Sequence, residues 1–96
     1  MARQVAWTTP GWDDLEAAAE YIARDSEFYA AALVEEARQA AVSLADFAER
    51  GQVVPEFDDE SIRELLVKPY RLVYKITDEY VFIVAFIHGA QRLRRL

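Results

Sequence analysis

The spacing of hydrophobic residues predicts a helical hairpin in the first half of the chain. In the first helix, apolar residues recur at intervals of three and four: Trp12, Leu15, Ala19 and Ile22. A second periodic stretch follows the N-cap candidates Asp25 and Ser26 and is expected to end at Gly51. Its apolar positions repeat in the same way: Leu33, Ala37, Ala40, Leu44 and Phe47. Such a stripe is typical of a packing seam between helices.

The remaining hydrophobic segments are typical of strands. Gln4 to Thr8 alternates weakly and ends at the break from Thr8 to Gly11. After an acidic loop from Gln52 to Glu60, three consecutive antiparallel strands are predicted: Ile62 to Val67, Tyr70 to Thr77 and Tyr80 to His88. Residues 1–96 therefore predict one α+β domain in the order β-α-α-β-β-β. Its helical hairpin packs on a small, mainly antiparallel sheet, followed by a short C-terminal tail or helix.

The two faces of this sheet are expected to differ. In the strand that starts at Tyr70, one face is apolar and the other carries the cations Arg71 and Lys75. The segment from Tyr80 to Ile87 is apolar on both faces, which is typical of a central strand. We expect the helices to cover one of its faces, and the C-terminal residues or a partner to cover the other.

Composition excludes several classes of protein. The chain has 96 residues, 53% of them hydrophobic, and no cysteine, so a disordered segment and a disulfide-stapled secreted scaffold are both excluded. No apolar run is long enough to span a bilayer and the first ten residues contain no signal-like apolar region. We therefore expect a cytoplasmic protein without a membrane partner.

The net charge of -6 conceals an uneven distribution. Residues 1–60 carry 4 basic and 14 acidic side chains, whereas residues 61–96 carry 7 basic and 3 acidic ones. The basic set of the second segment is Arg63, Lys68, Arg71, Lys75, Arg92, Arg94 and Arg95. These cations either form a contact surface for an acidic partner or nucleic acid, or balance the acidic part of the same chain.

Motifs for cofactor or metal chemistry are missing from the sequence. There is no glycine-rich phosphate loop, no His and Cys spacing for a metal, and no Gly-x-Ser-x-Gly turn, so neither a cofactor nor a metal is expected. The acidic run from Asp58 to Glu60 lacks the spacing of a calcium loop and is interpreted as a solvated turn. The single histidine, His88, ends the last strand before Gly89 and is either a site residue or a structural hydrogen-bonding group.

Six segments, taken in order, resemble the ParE-like branch of the RelE/ParE toxins. They are Asp14-Leu15-Glu16, Tyr21-Ile22-Ala23-Arg24-Asp25-Ser26, Val54-Pro55-Glu56, Ile62-Arg63-Glu64-Leu65, Tyr70-Arg71-Leu72-Val73-Tyr74 and Ile87-His88-Gly89-Ala90. The resemblance covers nearly the whole chain. It implies a type II toxin that is held inactive by a co-encoded antitoxin, either ParD-like or RelB-like.

The resemblance also implies two possible targets, because ParE-like members are associated with poisoning DNA gyrase and RelE-like members with cutting messenger RNA on the ribosome. Arg71 matches an arginine used by RelE-like nucleases. The paired lysines expected ahead of it are absent, no tyrosine follows Tyr80, and Gln91 replaces a common arginine. An acidic protein is also poorly suited to binding RNA.

Gyrase inhibition without catalysis is therefore the leading interpretation, with nucleic acid contacted only indirectly through the antitoxin. The expected target-binding residues are Arg63, Arg71, His88 and Arg92. The expected antitoxin-binding residues are Trp12, Leu33, Phe47 and Leu66.

Two alternatives remain open at this point. One is a metal-independent mRNA interferase in which Arg71 stabilises the phosphate and His88 acts as acid or base. Replacing these two residues should then abolish cleavage and leave folding intact. The other is a non-toxic, degenerate member that acts only as an antitoxin-binding corepressor.

Overall fold

The computed structural model describes residues 2–94 and has two helices packed on one face of a five-stranded sheet. The elements are β1 (Gln4–Trp7), α1 (Thr9–Ala23), α2 (Glu27–Ser43), a 3-10 helix (Ala48–Arg50), β2 (Gln52–Val53), β3 (Ile62–Val67), β4 (Tyr70–Ile76) and β5 (Tyr80–His88). Their spatial order in the sheet is β1-β5-β4-β3-β2. The α+β class and the β-α-α-β-β-β order are confirmed, with the two-residue β2 as an addition. Only the β1–β5 pairing is parallel among the described strands.

Helix α1 begins inside the segment that was predicted to be a break. Thr8 is the N-cap, and its hydroxyl accepts a hydrogen bond from the Gly11 amide at 3.1 Å. Pro10 is tolerated in the first turn because its missing N–H would have no partner in the helix. Gly11 lets the helix approach β5 closely, since a Cβ there would collide with the carbonyl oxygen of Ile83.

Helix α2 starts where predicted and ends earlier than predicted. The Ser26 hydroxyl accepts the Tyr29 amide at 3.2 Å as the N-cap, but the helix ends at Ser43. The predicted end at Gly51 is wrong, because the amides of Leu44 and Ala45 bond to carbonyls three residues back and tighten the last turn. Phe47 consequently lies outside the helix.

The main core lies between the helices and the sheet. Its largest fully buried side chains include Leu15 on α1, Leu44 after α2, and Tyr74 on β4. The Tyr74 hydroxyl donates to the carbonyl of Ala48 at 2.7 Å and accepts the Gly51 amide at 3.0 Å. Burial raises the pKa of this phenol. The tyrosine thus fixes the 3-10 helix to the sheet.

A smaller core covers the opposite face of the sheet. Its buried members are Val54, Ile62, Val73, Ala85 and Leu93. The expectation that both faces of β5 are covered is confirmed, and the cover consists of the C-terminal tail and the loop after β2. A register shift pairs Val73 with Ala85 and Tyr74 with Ile83, which leaves Val84 as an extra residue in β5. No helix within residues 2–94 is long and apolar enough to cross a membrane.

Replacing Leu44 with alanine is expected to lower the free energy of unfolding by about 2 to 5 kcal/mol, through lost burial and a residual cavity. Leu44 is 0% exposed, whereas nearby Val42 is 69% exposed. Val42→Ala is the matched control and should change stability by less than about 0.5 kcal/mol. Urea denaturation of both variants measures the difference, and equal effects would contradict the described packing.

Candidate functional site

A buried ion cluster joins the sheet to the loop that follows β2. The Nε of Arg71 on β4 donates to Oε1 of Glu64 on β3 at 2.6 Å. Its two terminal nitrogens form a bidentate pair with both carboxylate oxygens of Glu56, each at 2.8 Å. The side chains of Arg71 and Glu56 are only 8% and 11% exposed. One guanidinium therefore binds two carboxylates in a nearly water-free environment.

The same cluster holds the C-terminal tail. Arg71 donates a further hydrogen bond to the carbonyl of Gln91 at 3.1 Å. The carboxylate of Glu56 accepts the Leu93 amide at 3.0 Å, and the Leu93 side chain is buried in the smaller core. Gln52 on β2 donates to the second oxygen of Glu64 at 3.1 Å. Strands, loop and tail are thus connected through a single arginine.

The hydrogen bonds of the cluster favour the charged forms of Glu56 and Arg71. Hydrogen bonds from Arg71, together with the Leu93 amide, lower the pKa of Glu56 from 4.5 to about 2. Hydrogen bonds to Glu56 and Glu64 raise the pKa of Arg71 above its already high ordinary value. With two carboxylates for one cation, the cluster carries a net negative charge at neutral pH.

The guanidinium of Arg71 is therefore largely unavailable to an external ligand. Its side chain lies at the base of a cleft of about 480 Å³ that also contains Leu66 and Arg92 at its rim. Arg92 and Leu66 are exposed there, whereas Arg71 and Glu64 are buried. Arg71 and Arg92 line the same cleft, and the sequence analysis did not anticipate the carboxylates that pair with Arg71.

The other two predicted target-binding residues lie elsewhere. Arg63 pairs across the sheet with Tyr74 and so belongs to the helix face, opposite Arg71. Its guanidinium donates to the carbonyls of Glu60 and Gly51, both at 2.9 Å, and lies 3.9 Å from Glu49. These contacts indicate a structural role within the chain.

His88 is exposed at the end of β5, also on the helix face. It is the cross-strand partner of Tyr70, and their ring centroids are 5.8 Å apart. Its Nδ1 accepts the Ala90 amide at 3.2 Å. The adjacent residue pair is Arg71 with Ile87, and successive strand residues alternate faces, so His88 and Arg71 project from opposite sides. The four predicted residues do not form one patch.

The predicted antitoxin-binding residues also differ in accessibility. Trp12 is 39% exposed, stacks edge-on against Trp7 at 5.6 Å, and lines a groove of about 270 Å³ between α1 and α2. Phe47 and Leu66 are 69% and 61% exposed. Leu33 is 6% exposed and belongs to the main core, so it has almost no surface to present to a partner.

Sequence reasoning missed three strongly exposed aromatic side chains. Tyr21, Phe28 and Tyr29 are 65%, 76% and 66% exposed and lie around the connection between the helices. Tyr21 lies off the Trp12 stripe of α1 and Phe28 lies off the Leu33 stripe of α2, so the positions of these two residues were a usable signal. Within residues 2–94, no three His, Asp or Glu side chains are grouped in a way that could hold a metal ion.

Comparison with known proteins identifies the family. Residues 5–93 match the family described as the ParE toxin of the type II toxin-antitoxin system parDE. The chain belongs to the ParE toxin family. It is 36% identical over 89 residues to Toxin RelE2 of Caulobacter vibrioides, covering 92% of this chain and 97% of that protein. The resemblance to RelE/ParE toxins is thereby confirmed.

Two solved structures share the ParE-family fold. The chromosomal ParDE system from P. aeruginosa contains a chain that matches with a TM-score of 0.73 and 18% identity, covering 91% of this chain and 96% of that one. The toxin-antitoxin complex RelBE2 from Mycobacterium tuberculosis matches with a TM-score of 0.60 and 24% identity, covering 92% and 99% respectively. At these identities, the likeness concerns the fold.

Arg71→Ala is expected to lower the free energy of unfolding by about 3 to 5 kcal/mol, because it leaves two buried carboxylates without their cation. This prediction differs from the expectation, made for the mRNA interferase alternative, that replacing Arg71 leaves folding intact. Lys75→Ala is the matched control, since Lys75 lies exposed on the same strand, and it should cost less than about 0.5 kcal/mol. Urea denaturation tests both, and a stable Arg71→Ala protein would contradict the cluster's structural role.

Acid should weaken the fold through Glu56. Because its pKa is lowered from 4.5 to about 2, its stabilising contribution is present above pH 4.5 and is lost as pH falls toward 2. Glu56→Gln removes this titration, so its stability should depend less on pH across that window. Glu36→Gln, at an exposed position on α2, is the control and should retain the wild-type slope. Denaturant midpoints at several pH values give the slopes; identical slopes in all three proteins would refute this assignment.

Proposed function

We propose that this protein is a ParE-type toxin that inhibits DNA gyrase by protein contact, in the cytoplasm, and is neutralised by a cognate antitoxin. The observation that carries this proposal is the enclosure of Arg71 by Glu56 and Glu64. Gyrase is the target class implied by the ParE-like resemblance, and family membership supports it.

The same observation argues against RNA cleavage. A metal-independent nuclease needs an accessible cation for the phosphate, near an acid or base for the sugar hydroxyl and leaving oxygen. Arg71 is occupied by carboxylates, and the cluster's net negative charge repels phosphate. His88 projects from the other face of the sheet, so the two residues cannot act on one phosphodiester. Binding without catalysis is favoured.

The proposed contact surfaces follow from exposure. His88 and Arg92 are exposed at the same end of the molecule and remain candidates for gyrase contact. Arg63 and Arg71 support the fold that presents them. Trp12, Phe47 and Leu66 remain candidates for antitoxin contact, because exposed aromatic and aliphatic side chains in grooves commonly anchor protein interfaces.

Paired in vitro assays test the proposed target. Purified protein should inhibit gyrase supercoiling and leave ribosome-bound mRNA intact. His88→Ala/Arg92→Ala should weaken gyrase inhibition about tenfold or more, as expected for interface anchors. Lys75→Ala, on the opposite face from His88, should inhibit like wild type.

Cleaved mRNA with unaffected gyrase would overturn the proposal. Inhibition that is unchanged in the His88→Ala/Arg92→Ala protein would place the gyrase contact elsewhere on the molecule. Thermal denaturation of each variant separates lost contact from lost folding.

A further inference from the structure

The first turn of α2 exposes two adjacent aromatic side chains. Phe28 and Tyr29 are 76% and 66% exposed, and their ring centroids are 5.4 Å apart in an edge-on arrangement. The N-cap Ser26 accepts the Tyr29 amide, so the backbone of this turn is fixed. Within residues 2–94, neither ring belongs to either hydrophobic core. Exposed aromatic side chains of this kind are typical anchors of protein interfaces.

The next two turns of α2 extend the aromatic pair into a larger surface. Ala32 lies four residues after Phe28 and three after Tyr29, so it is a neighbour of both on the helix. Glu35 and Glu36 stand in the same relation to Ala32, and all five residues are exposed. We term these five residues the α2 outer face. The small Ala32 leaves room for a long side chain to lie between the rings and the carboxylates.

The α2 outer face is distinct from the groove that contains Trp12. The residue of α2 that lines that groove is Val34. Val34 is two residues from Ala32, and residues at this spacing do not face the same side of a helix. The two surfaces can therefore bind different partners.

The helical hairpin that carries this face is strongly acidic. Residues 9–43 contain eight acidic and two basic side chains. The ion pairs within residues 2–94 all lie outside this segment. Exposed Glu27 precedes the aromatic pair, and the two carboxylates of the α2 outer face follow it, so negative charge lies on both sides of the rings. This charge favours a cationic ligand.

Aromatic rings and carboxylates together are suited to binding Lys and Arg side chains. The cation is attracted by the ring face and by the carboxylate, while its aliphatic stem packs on apolar surface. The hairpin contains one such contact, because the Arg24 guanidinium carbon lies 5.9 Å from the centre of the Tyr21 ring. Among the described residues, the Phe28 and Tyr29 rings have no such cation. A nucleic acid is disfavoured here, since the carboxylates repel phosphate.

We propose that the α2 outer face is a second gyrase contact and binds a basic segment of that enzyme. The Lys or Arg side chains of the segment pair with Glu35 and Glu36 and lie against the Phe28 and Tyr29 rings, and its apolar side chains cover Ala32. An enzyme that binds DNA carries basic surface, which can supply such a segment. This inference rests on the proposed inhibition of gyrase.

Binding to immobilised DNA gyrase, with and without DNA, tests this face by biolayer interferometry at low and high salt. Glu35→Lys/Glu36→Lys should lose about tenfold or more in affinity at low salt and less at high salt, because salt screens exposed charges. Phe28→Ala/Tyr29→Ala should lose about tenfold or more at both salt concentrations, because its lost contacts are apolar. Alanine is a good helix former, so this variant should keep α2 folded.

Two controls make matched changes elsewhere on the surface. Asp78→Lys/Glu79→Lys makes the same charge reversal in the exposed turn between β4 and β5. Phe47→Ala truncates an aromatic side chain that is 69% exposed beyond the other end of α2. Both should bind gyrase within about twofold of wild type. Thermal denaturation of every variant separates lost contact from lost folding.

The outcomes separate this inference from the gyrase proposal. Wild-type affinity in either variant of the α2 outer face, or an equal loss in its matched control, would overturn the assignment of this face while the gyrase proposal stands. No binding of wild type to gyrase under any of these conditions would instead refute the gyrase proposal, and the inference with it.

Discussion

The pairing of Arg71 with Glu56 and Glu64 is the interaction on which the rest of the sheet's second face depends. Without it, the loop after β2 and the C-terminal tail would lose the side-chain hydrogen bonds that join them to β4, and the small apolar cluster around Val73 would be left to pack them on the sheet. Two carboxylates can be buried around one guanidinium here because every buried polar side-chain atom of the described residues has a hydrogen-bond partner. The arginine is thus a structural cation.

This pairing also explains much of the uneven charge along the chain. Arg63 and Arg71, from the basic segment, are bound by groups that lie within the acidic segment, Glu49 and Glu56 among them. Arg92 and Arg94 are not bound in this way among the described residues. The charge-balancing interpretation therefore holds for Arg63 and Arg71, and the contact-surface interpretation stays a prediction for Arg92 and Arg94. Arg95 lies outside the described residues.

The fold was largely predictable because periodicity and N-caps are local signals. Three strands, the start of α2 and the double coverage of β5 follow from alternation, from the capping residue Ser26, and from the apolar run after Tyr80. The end of α2 was not predictable, since the apolar spacing continues through Phe47 and does not mark the tightened turn at Leu44 and Ala45. Strand β2 was missed because a strand of two residues is too short to show an alternating pattern of apolar and polar side chains.

The candidate site was less predictable, since it depends on which residues meet across the sheet. Arg71 lies opposite Ile87, the neighbour of His88, so Arg71 and His88 are on opposite faces of the sheet. This pairing register cannot be determined from the pattern of residues along the chain. One signal was present in the sequence. Glu64 lies two residues after Ile62 and so shares its buried face, where a carboxylate requires a cation. Leu33 and Phe47 shared a predicted stripe, but only Leu33 is on the helix and buried.

The position of β5 in the sheet has a consequence for how the protein is made. This strand lies between β1 and β4, packs against α1, and comes last in chain order among the described elements. The first strand must therefore wait for a partner about 75 residues away before the sheet can close. A chain that lacks β5 lacks the strand that joins β1 to β4, so the five-stranded sheet forms only after β5 has been synthesised.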